Sequence, residues 1–224
     1  MRAVYFESPQ IVSDKITVQD DQLHHLKNVC RVKTGQEVLL LSGLGDKFFC
    51  VVELIGKREI VLKINKREHC PKVIKSAFVC LVKKDALELI VRQSVELGIT
   101  DLYIVASERS QNYKINNTRL NQIIKSAMTQ CNFPYFLTIH RASFLEFISE
   151  NHHLVTCFST EVKENDLLDI KGSERLPFIG PEGGFSPNEI KTLKDLNVPF
   201  ISLPTPILRT ETAFIFAQGL FSKA

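Results

Sequence analysis

Nowhere in this chain do about eighteen apolar residues run together, the length a helix needs to cross a bilayer, and Met1-Arg2-Ala3-Val4-Tyr5-Phe6-Glu7 has no signal-peptide apolar core. Membrane spanning and export are therefore not expected, and a cytoplasmic protein is. The cysteines Cys30, Cys50, Cys70, Cys80, Cys131 and Cys157 form no Cys-x-x-Cys pair and have no histidine at ligand spacing. That argues against a zinc site or a disulfide scaffold. They read as buried thiols in a reducing compartment, and no metal is expected. Missing too are the two common phosphate fingerprints, Gly-x-x-x-x-Gly-Lys-Ser/Thr and Gly-x-Gly-x-x-Gly. No internal repeat or low-complexity tract is present.

What the chain does contain is enough apolar residue for a sizeable core, with 224 residues that are 44% hydrophobic and 24% charged. That length leans towards two domains. The net charge of +3 is unevenly placed: residues 1–72 hold 12 Lys/Arg against 9 Asp/Glu, and residues 73–224 hold 16 of each. Between Lys57 and Lys75 the basic residues Lys57, Arg58, Lys63, Lys66, Arg67, Lys72 and Lys75 face only Glu59 and Glu68. Such a strip suits phosphate contacts that add salt-dependent affinity without reading sequence; charge alone equally allows an ordinary solvated surface.

Periodicity divides the chain at the same place. Short β-rich runs at Ala3–Phe6, Glu37–Leu41, Lys47–Ile55 and Ile60–Ile64, separated by turn signals such as Ser42-Gly43-Leu44-Gly45-Asp46, predict a small barrel over residues 1–72. From residue 73 to 224 the pattern alternates. Apolar runs at Ser76–Val82, Leu102–Ala106, Phe136–Ile139 and Leu154–Phe158 predict strands. Asp85–Leu97, stopped by Gly98, and Arg119–Thr129 predict helices, and Ser143 with Glu146 predicts a capped short helix. The expected class is α/β with a parallel sheet.

Two C-terminal segments carry the chemistry. Ile179-Gly180-Pro181-Glu182-Gly183-Gly184-Phe185-Ser186 leaves a short apolar strand and enters a helix through Ser186-Pro187-Asn188-Glu189, which has a capping Ser, a Pro at the first helical position and a Glu three residues on. Its glycines let main-chain groups approach a ligand. Glu182 would repel phosphate, so an uncharged or cationic ligand fits better. The second segment, Leu203-Pro204-Thr205-Pro206-Ile207-Leu208, follows the run that starts at Phe200. Both loops would meet at strand carboxyl ends, where open α/β sheets bind ligands.

These segments, with Ile207-Leu208-Arg209-Thr210-Glu211-Thr212-Ala213, Glu96-Leu97-Gly98-Ile99, Ser107-Glu108-Arg109-Ser110 and His24-His25-Leu26 with Arg31, resemble over nearly the whole chain the RsmE-type ribosomal RNA uridine-N3 methyltransferases of the SPOUT superfamily. Departures are Pro204 and Pro206 in place of Gly and Arg, Gln93 in place of Lys, and Asn132-Phe133 in place of Gly-Arg. The resemblance implies a PUA-like RNA-binding barrel followed by a SPOUT domain with a deep trefoil knot, its last helix passed through the loops after residues 158, 179 and 203. It also implies a homodimer, S-adenosylmethionine as cofactor, and 16S ribosomal RNA or the assembled small subunit as substrate.

By the same likeness, Phe158, Ile179, Gly180, Glu182, Gly183, Gly184, Leu203, Ile207 and Leu208 are the expected cofactor contacts and His24, His25 and Arg31 expected RNA contacts, to which the charge of the basic strip adds Lys57, Arg58, Lys66 and Arg67. Uridine N3 must lose an imide proton, and Arg209 is suited to stabilise the charge left behind. Glu182 or Glu211 would accept the proton. Alternatives stay open. Glu182 could instead bond its own loop, Arg209 could pair with Glu211, and one or both histidines could be packed elements. Phe133-Pro134-Tyr135 is either a stacking surface or a buried turn. The whole chain could also be an inactive assembly factor or act on another RNA.

Overall fold

The computed structural model describes residues 1–7, 9–160, 174–202 and 205–221. Their contacts fall into two units, residues 1–73 together with 124–136, and residues 74–123 together with 137 onward.

In the first unit, β1 (Arg2–Tyr5), β2 (Ile11–Val12) and β3 (Lys15–Val18) precede the short helix α1 (Asp20–His24), which runs into a single π-helical turn at His25–Val29. Strands β4 (Glu37–Leu41), β5 (Asp46–Ile55) and β6 (Ile60–His69) follow, and the six strands form one sheet in the order β1-β4-β5-β6-β3-β2. Period-two burial drives the central hairpin. Phe48, Cys50 and Val52 of β5 and Ile60 and Leu62 of β6 turn inward onto Val38, Leu40 and Ile16. Past Ile64 that alternation ends, because Asn65, Lys66 and Arg67 are all exposed. Backbone pairing with β5 nevertheless carries β6 on to His69, five residues beyond the run ending at Ile64 that apolar alternation predicts.

Residues 124–136 complete this unit from a distance in sequence. Pro134 accepts a hydrogen bond from Gly45 N–H at 3.0 Å, Phe136 N–H donates to Gly43 at 2.9 Å, and the Tyr135 hydroxyl donates to the Cys70 carbonyl. Gly45 has φ +102°, and a Cβ there would lie 2.9 Å from the Cys70 oxygen and closer still to the Tyr135 phenol. Only glycine fits. Tyr135 and Pro134 are buried, so of the two expectations for this segment the buried turn is the one observed. Asn132, at a position where resemblance leads one to expect Gly, has φ 58°, a left-handed conformation that Asn tolerates.

The second unit is β7 (Ser76–Cys80), α2 (Lys84–Glu96), β8 (Asp101–Ala106), the first part of α3 (Asn117–Cys131), β9 (Thr138–Ser143), α4 (Phe144–Asn151), β10 (Val155–Phe158), β11 (Leu176–Ile179), α5 (Pro187–Asp195), β12 (Phe200–Ile201) and α6 (Thr210–Phe221). Its strands pair in parallel in the order β12-β10-β11-β7-β8-β9. Leu87, Ile90, Val91 and Val95 form the buried face of α2, which ends at Gly98 with φ +70°. The sheet core is aromatic, with Phe178 packed on Phe147 and Phe185 at ring separations of 5.0 and 5.4 Å. After β9 the chain crosses to the far side of β7, so β10, β11 and β12 lie side by side with their carboxyl ends together. The last helix is expected to pass through the loops after residues 158, 179 and 203, and residues 161–173 and 203–204 of the first and third loops lie outside the described residues.

Candidate active site

The loop leaving β11 is built from its own turn outward. Gly184 N–H bonds the Pro181 carbonyl at 2.9 Å, closing the turn Pro181-Glu182-Gly183-Gly184, and Gly184 has φ +71°. A Cβ on Gly180 would sit 3.0 Å from the Phe185 ring, so glycine lets that buried ring lie against the strand end. Ser186 then caps α5: its hydroxyl accepts from Glu189 N–H at 3.1 Å, and the Glu189 carboxylate accepts from Ser186 N–H at 2.8 Å, with Pro187 at the first helical position. This is the capping arrangement that the sequence predicts.

A second loop braces the first. After β8, Glu108 N–H donates to Glu189 at 2.8 Å, Arg109 donates to the Gly183 carbonyl at 2.9 Å, and Gln111 donates to the Glu182 carboxylate at 3.0 Å. The Tyr113 hydroxyl donates to the Val82 carbonyl at 2.9 Å. Burial pushes that phenol above its ordinary value, and the nearby Glu182 and Glu88 carboxylates add to the shift. Within the sheet, burial likewise raises the thiols of Cys80 on β7 and Cys157 on β10, which keeps them protonated and inert.

The loops after β10, β11 and β12 and the start of α6 enclose a cavity of about 520 Å³, a size suited to a small organic ligand or cofactor. Of the residues expected to hold a cofactor, Phe158, Ile179, Gly180, Glu182, Gly184, Ile207 and Leu208 line it. Gly183 is not in the lining, and Leu203 lies outside the described residues. Sequence reasoning missed a hydroxyl-bearing wall of Ser159, Thr160, Ser202, Thr205 and Thr210. Its only sequence signal is position, immediately after β10 and β12 or at the start of α6.

Arg209 and Glu211 flank the cavity without lining it. Arg209 is exposed, and its carbonyl accepts from Ala213 N–H at 2.8 Å to begin α6; Glu211 is half-buried in the first helical turn. Their neighbours Leu208 and Thr210 do line it. Among the described residues no ion pair joins Arg209 to a carboxylate. The partner found for Glu182 is Gln111 rather than its own loop backbone. Among the described residues no group of three or more His, Cys, Asp or Glu could hold a metal, and no helix is long and apolar enough to cross a membrane.

In the first unit, His24 and His25 are both exposed beside Leu26, which is fully buried, and Arg31 is exposed with φ 50°. Lys57 and Arg58 stand exposed in the β5–β6 turn closed by Gly56 N–H to Glu59 at 2.8 Å. Lys66 and Arg67 are engaged within the sheet. Lys66 pairs with Glu68 and lies over Phe49 at 5.7 Å, and Arg67 pairs with Asp46 at 3.2 Å and lies over Phe48 at 5.3 Å.

Comparison with known proteins adds to this geometry. Residues 69–222 match an RNA methyltransferase domain and residues 18–65 an RNA methyltransferase PUA domain. Ribosomal RNA small subunit methyltransferase E of Rickettsia conorii is 28% identical, covering 96% of this chain and 92% of the relative. Ribosomal RNA small subunit methyltransferase E 2 of Borreliella burgdorferi is 29% identical, covering 99% and 96%. The crystal structure of the Neisseria gonorrhoeae ribosomal RNA small subunit methyltransferase E bound to S-adenosyl methionine shares the fold at a TM-score of 0.79, with 23% identity over 98% of this chain and 95% of that one.

Proposed function

The chain belongs to the RNA methyltransferase family, with that family's PUA domain ahead of its methyltransferase domain, and on that footing we propose that it methylates N3 of a uridine in 16S ribosomal RNA using S-adenosylmethionine. The observation that carries the reading is the convergence of three strand-end loops on one cavity of about 520 Å³, at the carboxyl edge where α/β sheets place ligands.

The residues present fit the cofactor. Phe158, Ile201 and Leu208 offer an apolar slot for a nucleobase, the cavity's hydroxyls and the exposed main chain of the glycine loop offer hydrogen bonds, and Glu182 supplies a carboxylate for a cation. When bound, S-adenosylmethionine supplies a methyl group activated on a sulfonium. Arg209 is placed next to the cavity wall to stabilise negative charge on the uracil carbonyl oxygens once the imide proton has left. Glu182, at the rim, or Glu211, in the first turn of α6, takes that proton. The loops would orient the bound donor towards the acceptor, which contributes through orientation. N3 sits on the pairing edge, so a paired target must be opened first.

His24, His25, Arg31, Lys57, Arg58, Lys66 and Arg67 bind the RNA backbone, and among the described residues Lys57 and Arg58 have no acidic partner of the kind that engages Lys66 and Arg67. The domains are the barrel at 1–72 and the catalytic domain at 73–224, the latter knotted by its last helix. The protein works in the cytoplasm as a homodimer, a reading supported by the exposed apolar residues Ile215, Phe216 and Leu220 on α6. Calorimetry with S-adenosylmethionine, followed by mass mapping of N3-methyluridine in 16S RNA from a strain lacking the gene and from the complemented strain, tests the function. Cofactor binding without a restored modification would exclude this substrate.

A further inference from the structure

Glu182 is an exposed carboxylate at the cavity rim, and left to itself such a side chain turns into water. It is not left to itself. The Gln111 amide donates to its Oε2 at 3.0 Å, while Arg109 from the same loop grips the adjacent Gly183 carbonyl at 2.9 Å. One contact holds a side chain and the other holds main chain. The bracing loop is itself anchored at both ends, through Glu108 N–H to the buried Glu189 carboxylate at 2.8 Å and the Tyr113 hydroxyl to Val82 at 2.9 Å. Gln111 is uncharged. It therefore orients Glu182 without cancelling its charge, which a lysine or arginine at the same place would do.

Building on the methyl-donor reading above, we infer that Gln111 is a positioning residue: it fixes the negative charge of Glu182 at the cavity rim, so that the site prefers the cationic sulfonium donor over its neutral thioether product. S-adenosylmethionine and S-adenosylhomocysteine differ by one methyl group and one charge. A carboxylate within a few ångströms of that charge, in partly solvated surroundings, would give about a 3–10-fold preference. The same preference assists product release, because the ligand that remains after transfer no longer has the charge Glu182 favours.

The test is the ratio of the two dissociation constants, thioether over sulfonium, measured by calorimetry on the full chain. Glu182→Gln reduces this ratio about 3–10-fold, with the affinity for S-adenosylhomocysteine unchanged. Gln111→Leu reduces it in the same sense, by about 2–5-fold. In the Glu182→Gln background Gln111→Leu has no further effect on the ratio, the signature of a residue that acts through its partner. Arg109→Lys, which loosens the main-chain contact but keeps the charge, weakens both ligands equally. A Gln111→Leu ratio equal to wild type, or an equal change with and without Glu182, overturns the inference. Wild-type protein that binds neither ligand overturns the methyl-donor reading itself, and the inference with it.

Discussion

The Glu189 carboxylate and the Glu108 main-chain N–H, 81 residues apart in sequence, meet at 2.8 Å. Glu189 is only 3% exposed, and its other oxygen accepts the Ser186 N–H. One buried side chain thus closes the cap of α5 and ties the glycine loop to the loop that follows β8. Glu189→Ala removes the carboxylate half of the capping box, leaves the Ser186 cap in place and orphans two main-chain donors, which costs about 2–4 kcal/mol. Glu189→Gln keeps the shape and one acceptor and costs about 1–2 kcal/mol. Urea midpoints at constant m-value report both, and equal stability of wild type and Glu189→Ala would show that the carboxylate contributes nothing.

Arg209 is exposed and outside the cavity wall, so its removal should leave cofactor binding intact. Arg209→Ala lowers kcat for RNA methylation about 10²–10³-fold, with S-adenosylmethionine affinity within about twofold of wild type. Arg209→Lys recovers only part, because an ammonium presents a point charge in place of a planar fork of donors. Transfer of labelled methyl to RNA, set beside calorimetry, separates the two effects. A loss of cofactor affinity that accounts for the whole defect would assign Arg209 a structural role.

The core of the amino-terminal sheet sets an alkaline limit on stability. Burial raises the Cys50 thiol from its ordinary 9.0 to about 12, so the unfolded chain gives up this proton first. The stability contributed by the neutral thiol is fully present below pH 9 and is lost as pH rises towards 12, by about 1.4 kcal/mol per pH unit. Cys50→Ala makes the curve of stability against pH shallower in that window and leaves its shape below pH 9 unchanged. An identical alkaline slope in the variant would place the titration elsewhere.

Salt dependence distinguishes the two halves of the basic strip. Lys57 and Arg58 stand in an exposed turn, and among the described residues no ion pair engages them. Replacing both with alanine reduces the slope of log affinity against log salt by about 1.4, at about 0.7 per contact with single-stranded RNA. Lys66 and Arg67 are already paired with Glu68 and Asp46, so the corresponding double change produces a smaller drop. Equal slopes for the two double variants would mean that the acidic partners release their cations on binding.

How much of this was legible in the sequence depended on whether the cause was local. The cap at Ser186, the capped helix after Ser143 and the stop at Gly98 rest on residues a few positions apart, and all three occur where the sequence predicts them. The glycine loop and its Ile207-Leu208 counterpart were visible for the same reason. The hydrogen bonds of Gln111 to Glu182 and of Glu108 to Glu189 join distant segments, and no local pattern encodes them. β9 was expected to end at Ile139 but runs from Thr138 to Ser143, because pairing along the whole of β8 sets its length while its own side chains show no apolar alternation. Strands β2, two residues long, and β3, four residues long, are too short to register as strands, although Ile16 and Val18 alternate as buried residues.

The plug formed by residues 124–136 also has a consequence for synthesis. The sheet of residues 1–73 leaves the ribosome with the Gly43–Gly45 corner and the Cys70 carbonyl waiting for Tyr135. At about 5–20 residues per second the missing piece arrives several seconds later. During that delay the nascent amino-terminal portion is an unfinished product that needs shelter from self-association, and a fragment cut after Val73 would never outgrow that state.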